Sequence, residues 1–275
     1  MLQESKEKIL RTAPIGIFDS GVGGLTVLKQ LRRRLPSEHM LYLGDTARLP
    51  YGTKSRETVV KYSLQNARFL VQKGIKCLVV ACNTASSLAL RELKEAIPVP
   101  VVGVIQPGAE TAARSTRNRR IGVIGTLATV RSGVYQQTIC EYEKDVDIIS
   151  VPCPLFVPLV EEGWIQDTIT AQIAGRYLKP LKDAGVDVVV LGCTHYPLLK
   201  GVIRQIMGDD IFLVDSAEEI ARQVEILLVD SELNARTSCG PGDLRIFMSD
   251  RSEHFVKIGE RFLGLSLPPI EYVDL

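Results

Sequence analysis

The segment Val186-Asp-Val-Val-Val-Leu-Gly-Cys193 is the strongest single indication of the fold class. Five of its first six residues are apolar, so a strand formed here presents apolar side chains on both faces. A strand of this kind must be buried on both faces, which is typical of a parallel sheet covered by helices on either side. The small residues that follow then end the strand in a turn. This stretch therefore predicts an α/β protein.

Similar short apolar runs recur along the whole chain, at residues 15–18, 40–43, 77–81, 101–104, 121–124, 146–151, 211–214 and 244–248. Between most of them the apolar residues follow a helical period, as at Leu25, Leu28 and Leu31. The segment Ser216-Ala-Glu-Glu219 has the pattern of a capping box, in which a serine side chain caps the start of a helix. Alternating strands and helices predict a doubly wound α/β architecture.

Two pairs of segments repeat within the chain. Ile15-Gly-Ile-Phe-Asp-Ser-Gly21 is similar to Ile121-Gly-Val-Ile-Gly-Thr-Leu127, and Val79-Val-Ala-Cys-Asn-Thr84 is similar to Val190-Leu-Gly-Cys-Thr-His195. The offsets, 106 and 111 residues, nearly agree, which predicts two similar doubly wound domains with a pseudo-twofold relation. Open α/β sheets bind ligands at the carboxyl ends of their strands, so we expect the site in the cleft between the domains. We expect a discontinuous first domain, residues 1–105 plus about 214–275, and a second domain over residues 106–213.

Composition excludes several classes of function. The chain has 275 residues, with 33 lysines and arginines against 32 acidic residues, and this balance argues against a direct nucleic-acid binder. The longest apolar run, residues 77–82, is far shorter than the ~20 residues that a membrane helix needs. Residues 1–11 alternate charges and contain no apolar signal core, so we expect a cytoplasmic protein.

The six cysteines contain no C-x-x-C pair and no zinc-finger spacing, so we expect free thiols and no bound metal. A lone cysteine at the end of a strand is more often a buried apolar residue than a reactive one. Cys82 and Cys193, however, stand at matched positions of the repeat, which favours two reactive thiols facing one cleft. Because Cys82 precedes a helical segment, we expect the helix N-terminus to lower its pKa. The remaining cysteines are predicted to be spectators: Cys77, Cys140, Cys153 and Cys239.

Polar residues accompany the ends of the same strands. Asp19 follows the first strand and opens a glycine-rich turn, and His195 lies two residues after Cys193, where it is a candidate proton relay. Glu161 is a further candidate, although two adjacent acids before a glycine are more often a solvated helix end. Other positions can be interpreted either as ordinary turns or helix caps or as residues that face the cleft. They are Ser20, Tyr51, Gly52, Thr126 and Thr129, with Tyr51 expected to bring a phenol and Gly52 a bare N–H into the cleft.

Four motifs now occur together and in order: Phe18-Asp-Ser-Gly-Val-Gly-Gly-Leu25, Leu49-Pro-Tyr-Gly52, Val80-Ala-Cys-Asn-Thr-Ala-Ser86 and Leu191-Gly-Cys-Thr-His-Tyr-Pro197. This set resembles the motifs of the glutamate racemase family, from about Pro14 to the C-terminal region. The resemblance implies a cofactor-independent isomerase of the aspartate/glutamate racemase superfamily, with two α/β domains. It also implies a bacterial role in supplying D-glutamate for peptidoglycan, and so in cell wall biogenesis and cell shape.

Carried onto this sequence, the resemblance implies that Cys82 is the base for D-glutamate and Cys193 the base for L-glutamate. Asp19 and His195 would assist these thiols, with Glu161 near the second. The implied partners are L-glutamate and D-glutamate, with room for a peptidoglycan-precursor regulator, a homodimer and a secondary action on DNA gyrase; no organic cofactor is implied. The implied substrate contacts are Asp19, Ser20, Tyr51, Gly52, Asn83, Thr84, Thr126, Thr129, Thr194 and His195.

Two alternatives stay open at this point. One is another two-cysteine member of the superfamily, acting on aspartate, hydantoins or maleate, and the other is a binding module without catalysis. Asp19 with Ser20, the Tyr51 loop and His195 favour glutamate as the substrate. The matched cysteines favour an enzyme, because a binding pocket has no need of two thiols on opposite faces.

Overall fold

The computed structural model describes residues 11–235 and 240–275, which form two sheets of parallel strands flanked by helices. The strands of these residues are β1 (Ile15–Asp19), β2 (Met40–Gly44), β3 (Cys77–Val80), β4 (Val101–Gly103), β5 (Arg120–Gly125), β6 (Asp147–Pro152), β7 (Val188–Gly192), β8 (Phe212–Asp215), β9 (Leu244–Met248) and β10 (Ile270–Tyr272). The helices are α1 (Leu25–Arg34), α2 (Arg56–Gln72), α3 (Asn83–Ala96), α4 (Ile105–Ser115), α5 (Leu127–Arg131), α6 (Val134–Tyr142), α7 (Phe156–Glu161), α8 (Thr168–Asp183), α9 (Lys200–Met207), α10 (Ser216–Asp230) and α11 (Glu253–Leu263).

The two sheets share one strand order. The first runs β10-β9-β2-β1-β3-β4 and the second β6-β5-β7-β8, so β2-β1-β3-β4 corresponds to β6-β5-β7-β8. Every pair of neighbouring strands is parallel, and all five residues of β7 are buried. The prediction of two parallel-sheet α/β domains is therefore confirmed.

The chain leaves the first sheet after β4 and returns to it after β8. On return, β9 pairs with β2 in the register Met40↔Leu244, and β10 then pairs with β9. Because β9 and β10 join the first sheet, we propose that the domain boundaries lie near residues 105 and 214. Sequence reasoning did not predict β10, since three residues at a sheet edge carry too short a pattern to be recognised.

Buried apolar stripes hold the helices to the sheets. Leu25, Leu28 and Leu31 of α1 are fully buried, as their helical spacing predicts, and each such side chain contributes about 1.5–3 kcal/mol by its removal from water. α10 packs against both α1 and α4, and so joins the two domains. It begins at Ser216 as expected, but the cap is Asp215, whose carboxylate accepts a hydrogen bond from the N–H of Ala217 at 2.9 Å. None of the helices in the described ranges is long and apolar enough to cross a membrane.

Candidate active site

A cavity of about 190 Å³ lies between the two domains, at the carboxyl ends of β1, β3, β5 and β7. All the predicted site residues except Asp19 and Thr129 line it. Sequence reasoning missed several apolar or small residues of its wall, which carry no chemistry that a sequence pattern could signal. The lining residues are Ser20, Gly21, Leu49, Pro50, Tyr51, Gly52, Thr53, Cys82, Asn83, Thr84, Thr126, Leu127, Pro154, Val157, Pro158, Glu161, Cys193, Thr194, His195 and Tyr196.

Cys82 follows β3 and caps the N-terminus of α3. Its sulfur accepts a hydrogen bond from the N–H of Ala85 at 3.4 Å and lies 3.5 Å from the Ser20 hydroxyl oxygen. The expectation of a lowered pKa is wrong: burial raises the pKa of Cys82 to about 11, and the negative charge of Asp19 raises it too. The hydrogen bonds from Ser20 and Ala85 only partly oppose these effects, because removing the thiolate from water outweighs the helix end.

Asp19 ends β1 directly behind the cavity wall and is 1% exposed. One carboxylate oxygen, Oδ2, accepts a hydrogen bond from the N–H of Gly21 at 3.0 Å, while Oδ1 has no partner among the residues described. Burial raises the pKa of this carboxyl, and the nearby imidazole of His195 and backbone N–H groups oppose the rise. The negative charge of this carboxyl raises the pKa of both cavity thiols, Cys82 and Cys193.

Cys193 follows β7 on the opposite wall and is joined to a second acid–base pair. Its sulfur lies 3.9 Å from Nδ1 of His195, and Nε2 of the same ring lies 3.0 Å from Oε1 of Glu161. The thiol, imidazole and carboxylate thus form a continuous chain, so Glu161, although it ends α7 with a partly exposed side chain, is joined to the cavity. Burial also raises the pKa of Cys193.

The C-terminal helix α11, which follows β9 of the first sheet, contacts both His195 and the end of the helix that carries Glu161. The Arg261 guanidinium donates to the carbonyl oxygens of Val160 and Glu161 at 3.1 and 3.2 Å, and so caps the end of α7. The ring of Phe262 packs edge-on against His195, with the centroids 4.9 Å apart. Sequence reasoning missed both residues, since an arginine and a phenylalanine on an amphipathic helix give no signal of a contact 67 to 101 positions away.

Three threonine hydroxyls meet where the domains face each other. Thr84 of α3 lies 3.0 Å from Thr126 and 3.3 Å from Thr129, and the last two are 3.0 Å apart. Thr126 also caps α5, because its hydroxyl accepts a hydrogen bond from the N–H of Thr129 at 3.2 Å. The alternative interpretation of Thr126 as a helix cap is therefore correct too. Clustered hydroxyls of this kind can donate hydrogen bonds to a carboxylate.

The expectation that Tyr51 brings its phenol into the cleft is wrong. It lines the cavity, but its hydroxyl donates to the buried carboxylate of Asp45 and accepts a hydrogen bond from Nδ2 of Asn66 at 3.1 Å. The phenol oxygen is therefore committed to the interior of the first domain, not presented to the cleft. Gly52 does face the second domain, because a Cβ at this position would lie 2.9 Å from Thr126.

Gly23, which the sequence analysis does not single out, marks a close approach of the two domains at the site. A Cβ there would overlap the Thr194 hydroxyl and lie 2.5 Å from Nδ1 of His195. The backbone of Gly23 does not have a positive φ, so its conformation does not require glycine. Glycine is required because the second domain approaches too closely for a Cβ atom. The glycine-rich turn thus lets the second domain bring His195 up to the first.

Three of the other cysteines, Cys77, Cys140 and Cys153, do not line the cavity. Cys77 begins β3 at the far end of the strand, and burial raises its pKa to about 12; Cys153 is also fully buried, whereas Cys140 is exposed on α6. Cys239 lies outside the described residues. Within residues 11–235 and 240–275, no group of three or more histidines, cysteines and acids could hold a metal ion.

We expect a variant with Cys77→Ala, Cys140→Ser, Cys153→Ala and Cys239→Ser to retain most of its turnover. The two buried alanines remove packed sulfur atoms, so the free energy of unfolding should fall by about 1 kcal/mol at each site. Steady-state turnover and thermal melting of the purified variant test this. Loss of turnover in a variant that melts cooperatively would show that one of the four takes part in the reaction.

Comparison with known proteins identifies the family of the chain. A sequence model of the family described as Asp/Glu/Hydantoin racemase matches residues 17–224. The chain is 54% identical over 261 residues to the glutamate racemase of Geobacter metallireducens, which covers 95% of this chain and 96% of that one. The crystal structure of glutamate racemase from Francisella tularensis in complex with D-glutamate superposes with a TM-score of 0.90 at 37% identity, covering 96% and 98% of the two chains. Glutamate racemase of Escherichia coli, in complex with L-glutamate and the activator UDP-MurNAc-ala, gives a TM-score of 0.74 at 32% identity, covering 91% and 95%.

Proposed function

The chain belongs to the Asp/Glu/Hydantoin racemase family, among its glutamate racemases, and from this premise we propose that it interconverts L-glutamate and D-glutamate with two cysteine bases. The observation that carries the proposal is the pair of thiols, Cys82 and Cys193, which line one cavity from different domains. We assign Asp19, whose charge raises the pKa of Cys82, as the acid–base partner of the first thiol, and His195 with Glu161 as that of the second. Two bases in a single small cavity suit a reaction that moves one proton from one face of a carbon to the other.

The proposed step transfers one proton in and one proton out. A thiolate on one side removes the α-proton and becomes a thiol, and the electron pair of the broken C–H bond is delocalised into the α-carboxylate. The thiol on the other side then donates its proton to the opposite face and becomes a thiolate. The roles of Cys82 and Cys193 reverse with the direction of the reaction, with Cys82 acting on D-glutamate and Cys193 on L-glutamate.

Two effects suit the thiols to this chemistry, their burial and the charge of the substrate. A raised pKa makes each thiolate a stronger base once it has formed, which matters because an α-proton is a very weak acid. The ammonium group of the substrate brings a positive charge into the cavity, and an adjacent positive charge favours the ionised form of a thiol. Asp19 and His195 return protons between turnovers, so that one thiolate and one thiol face each new substrate.

The polar wall supplies the contacts for a dicarboxylate. Hydroxyl and amide groups of both domains can donate hydrogen bonds, and donors that are held in place also stabilise the charge that develops as the proton leaves. We propose Ser20, Asn83, Thr84, Thr126 and Thr194 as substrate ligands, with Thr129 holding the other two threonines. Gly52 contributes its backbone, whereas Tyr51 acts by packing and by fixing its loop.

The test is polarimetry or circular dichroism of L-glutamate, D-glutamate, L-aspartate and D-aspartate incubated separately with the purified protein. We expect both glutamate enantiomers to reach the racemic mixture and aspartate to react far more slowly. A pyridoxal enzyme needs a lysine for its Schiff base, and no lysine of the described residues lines the cavity. Activity should therefore persist without added cofactor and after treatment with a chelator. Racemisation that required pyridoxal phosphate, or aspartate as the better substrate, would contradict the proposal.

The proposal extends to the cell. We propose that the reaction takes place in the cytoplasm of a bacterium and supplies D-glutamate for peptidoglycan, and so for cell wall biogenesis and cell shape. Since the relative from Escherichia coli was crystallised with the activator UDP-MurNAc-ala, a peptidoglycan precursor is a proposed regulator of this chain too. A homodimer remains part of the proposal.

A further inference from the structure

One buried hydrogen bond crosses the cleft beside the proposed substrate site. Tyr135, on α6 of the second sheet's domain, donates its hydroxyl proton to Oδ1 of Asn83 at 2.7 Å. Asn83 is the first residue of α3 in the other domain and follows Cys82 directly. Both side chains are buried, with Tyr135 1% and Asn83 2% exposed, so water does not compete for the bond.

The direction of this hydrogen bond distinguishes the two ends of the amide. The hydroxyl of Tyr135 donates to Oδ1 of Asn83 at 2.7 Å, and burial, which raises the pKa of this hydroxyl, keeps the donated proton in place. An amide accepts hydrogen bonds through its oxygen only and donates through its nitrogen. The hydroxyl of Tyr135 therefore holds Oδ1, and the NH2 group of Asn83 must point elsewhere.

That NH2 group is buried and has no hydrogen-bond partner among the described residues. Asn83 also lines the cavity, as do the neighbouring Cys82 and Thr84. A buried donor without a partner is costly, and its natural acceptor in this cavity is a carboxylate oxygen of the ligand. The two ends of one side chain thus have separate tasks.

We propose that Tyr135 is a positioning residue, which turns the amide of Asn83 so that its NH2 group donates to a carboxylate of the bound amino acid. The identity of that ligand rests on the proposed function. Tyr135 does not touch the substrate in this arrangement and acts only through Asn83. The orientation of the Asn83 amide, which belongs to the first domain, therefore depends on a residue of the second domain. Without the hydroxyl, the amide can turn its oxygen toward the carboxylate and repel it.

The experiment is a double-mutant cycle of Tyr135→Phe and Asn83→Ala, measured as kcat and KM for both glutamate enantiomers and as the Kd of the unreactive dicarboxylate glutarate. For Tyr135→Phe we expect KM and Kd to rise by about tenfold with kcat changed less than about threefold, since a single buried hydrogen bond and its orientation are lost. In the Asn83→Ala background the same substitution should change KM and Kd by less than about twofold, because the group on which Tyr135 acts is absent. Tyr177→Phe, which removes a tyrosine hydroxyl from α8 away from the cavity, is the matched control and should leave all three constants unchanged.

A second variant, Asn83→Asp, keeps the acceptor for Tyr135 but replaces the NH2 group by an oxygen. We expect it to melt cooperatively and to lose binding of glutarate and glutamate by more than Asn83→Ala does, because two carboxylates then face each other. Equal effects of Tyr135→Phe in the presence and absence of Asn83, or undiminished binding by Asn83→Asp, would overturn the inference alone. If the unsubstituted protein neither binds nor racemises glutamate, the proposed function fails and the inference with it.

Discussion

Serine at Cys82 or at Cys193 is expected to lower the racemisation of glutamate by about 10²–10⁴-fold, yet to leave each variant able to remove the α-proton of one enantiomer. The reason is geometric. Each sulfur lines the cavity from its own domain, the first after β3 and the second after β7, so we expect each to serve one face of the α-carbon. Serine has nearly the same shape, but its alkoxide is far too basic to form in this site.

The two variants should differ from each other in a defined way. Cys193→Ser retains Cys82 and should exchange the α-proton of D-glutamate with deuterium oxide, slowly and in preference to L-glutamate. Cys82→Ser retains Cys193 and should show the opposite preference. Proton NMR of each enantiomer incubated with each variant follows the loss of the α-proton signal directly. Equal residual exchange of both enantiomers by both variants would reject the two-base mechanism in favour of a single mobile base.

Replacement of Gly23 by alanine is expected to reduce kcat/KM by about a hundredfold, although Gly23 does not take part in the chemistry. The added methyl group would overlap the Thr194 hydroxyl and lie 2.5 Å from the imidazole of His195, so both side chains must move. A shift of this size separates His195 from Cys193 and from Glu161. Overpacking at the domain contact should also lower the free energy of unfolding by about 1–3 kcal/mol.

Gly175→Ala is the matched control for this substitution. Gly175 lies within α8, and a Cβ there would meet nothing within 4 Å. Alanine should keep full activity and raise the free energy of unfolding by about 0.5–1 kcal/mol, because glycine is a poor helix former. Steady-state kinetics and denaturant unfolding of both variants provide the comparison. If Gly23→Ala retained the activity of Gly175→Ala, the domains would have to be less closely packed at the site than the structure indicates.

The residues that sequence reasoning found are those whose signal is local. Cys82 and Cys193 were recognisable because each follows an apolar strand, and the repeat placed them in equivalent positions before any contact was known. Thr126 and Thr129 were found in the same way. Local pattern also gave the strands of both sheets to within one or two residues, apart from the short edge strand β10.

What sequence reasoning missed depends on contacts between distant parts of the chain. The phenol of Tyr51 points inward because Asp45 and Asn66 meet it there, and nothing in its own loop reveals this. The pKa of Cys82 was expected in the wrong direction, because the helix end is visible in the sequence and the depth of burial is not. Arg261 and Tyr135 lie 100 and 52 positions from the residues that they contact, and no spacing rule connects such pairs.

The discontinuous first sheet affects the order in which the molecule can be completed during translation. The ribosome delivers β1–β4 first, then the contiguous strands β5–β8, and only at the end β9, β10 and α11. A nascent chain that lacks the last 35 residues or so therefore leaves the edge of β2 unpaired and His195 without Phe262. The second domain can close its sheet while synthesis continues, because its pairings are local in sequence. We therefore expect a chain that lacks these residues to be inactive, because β2 and His195 would each lack a partner that the complete chain supplies.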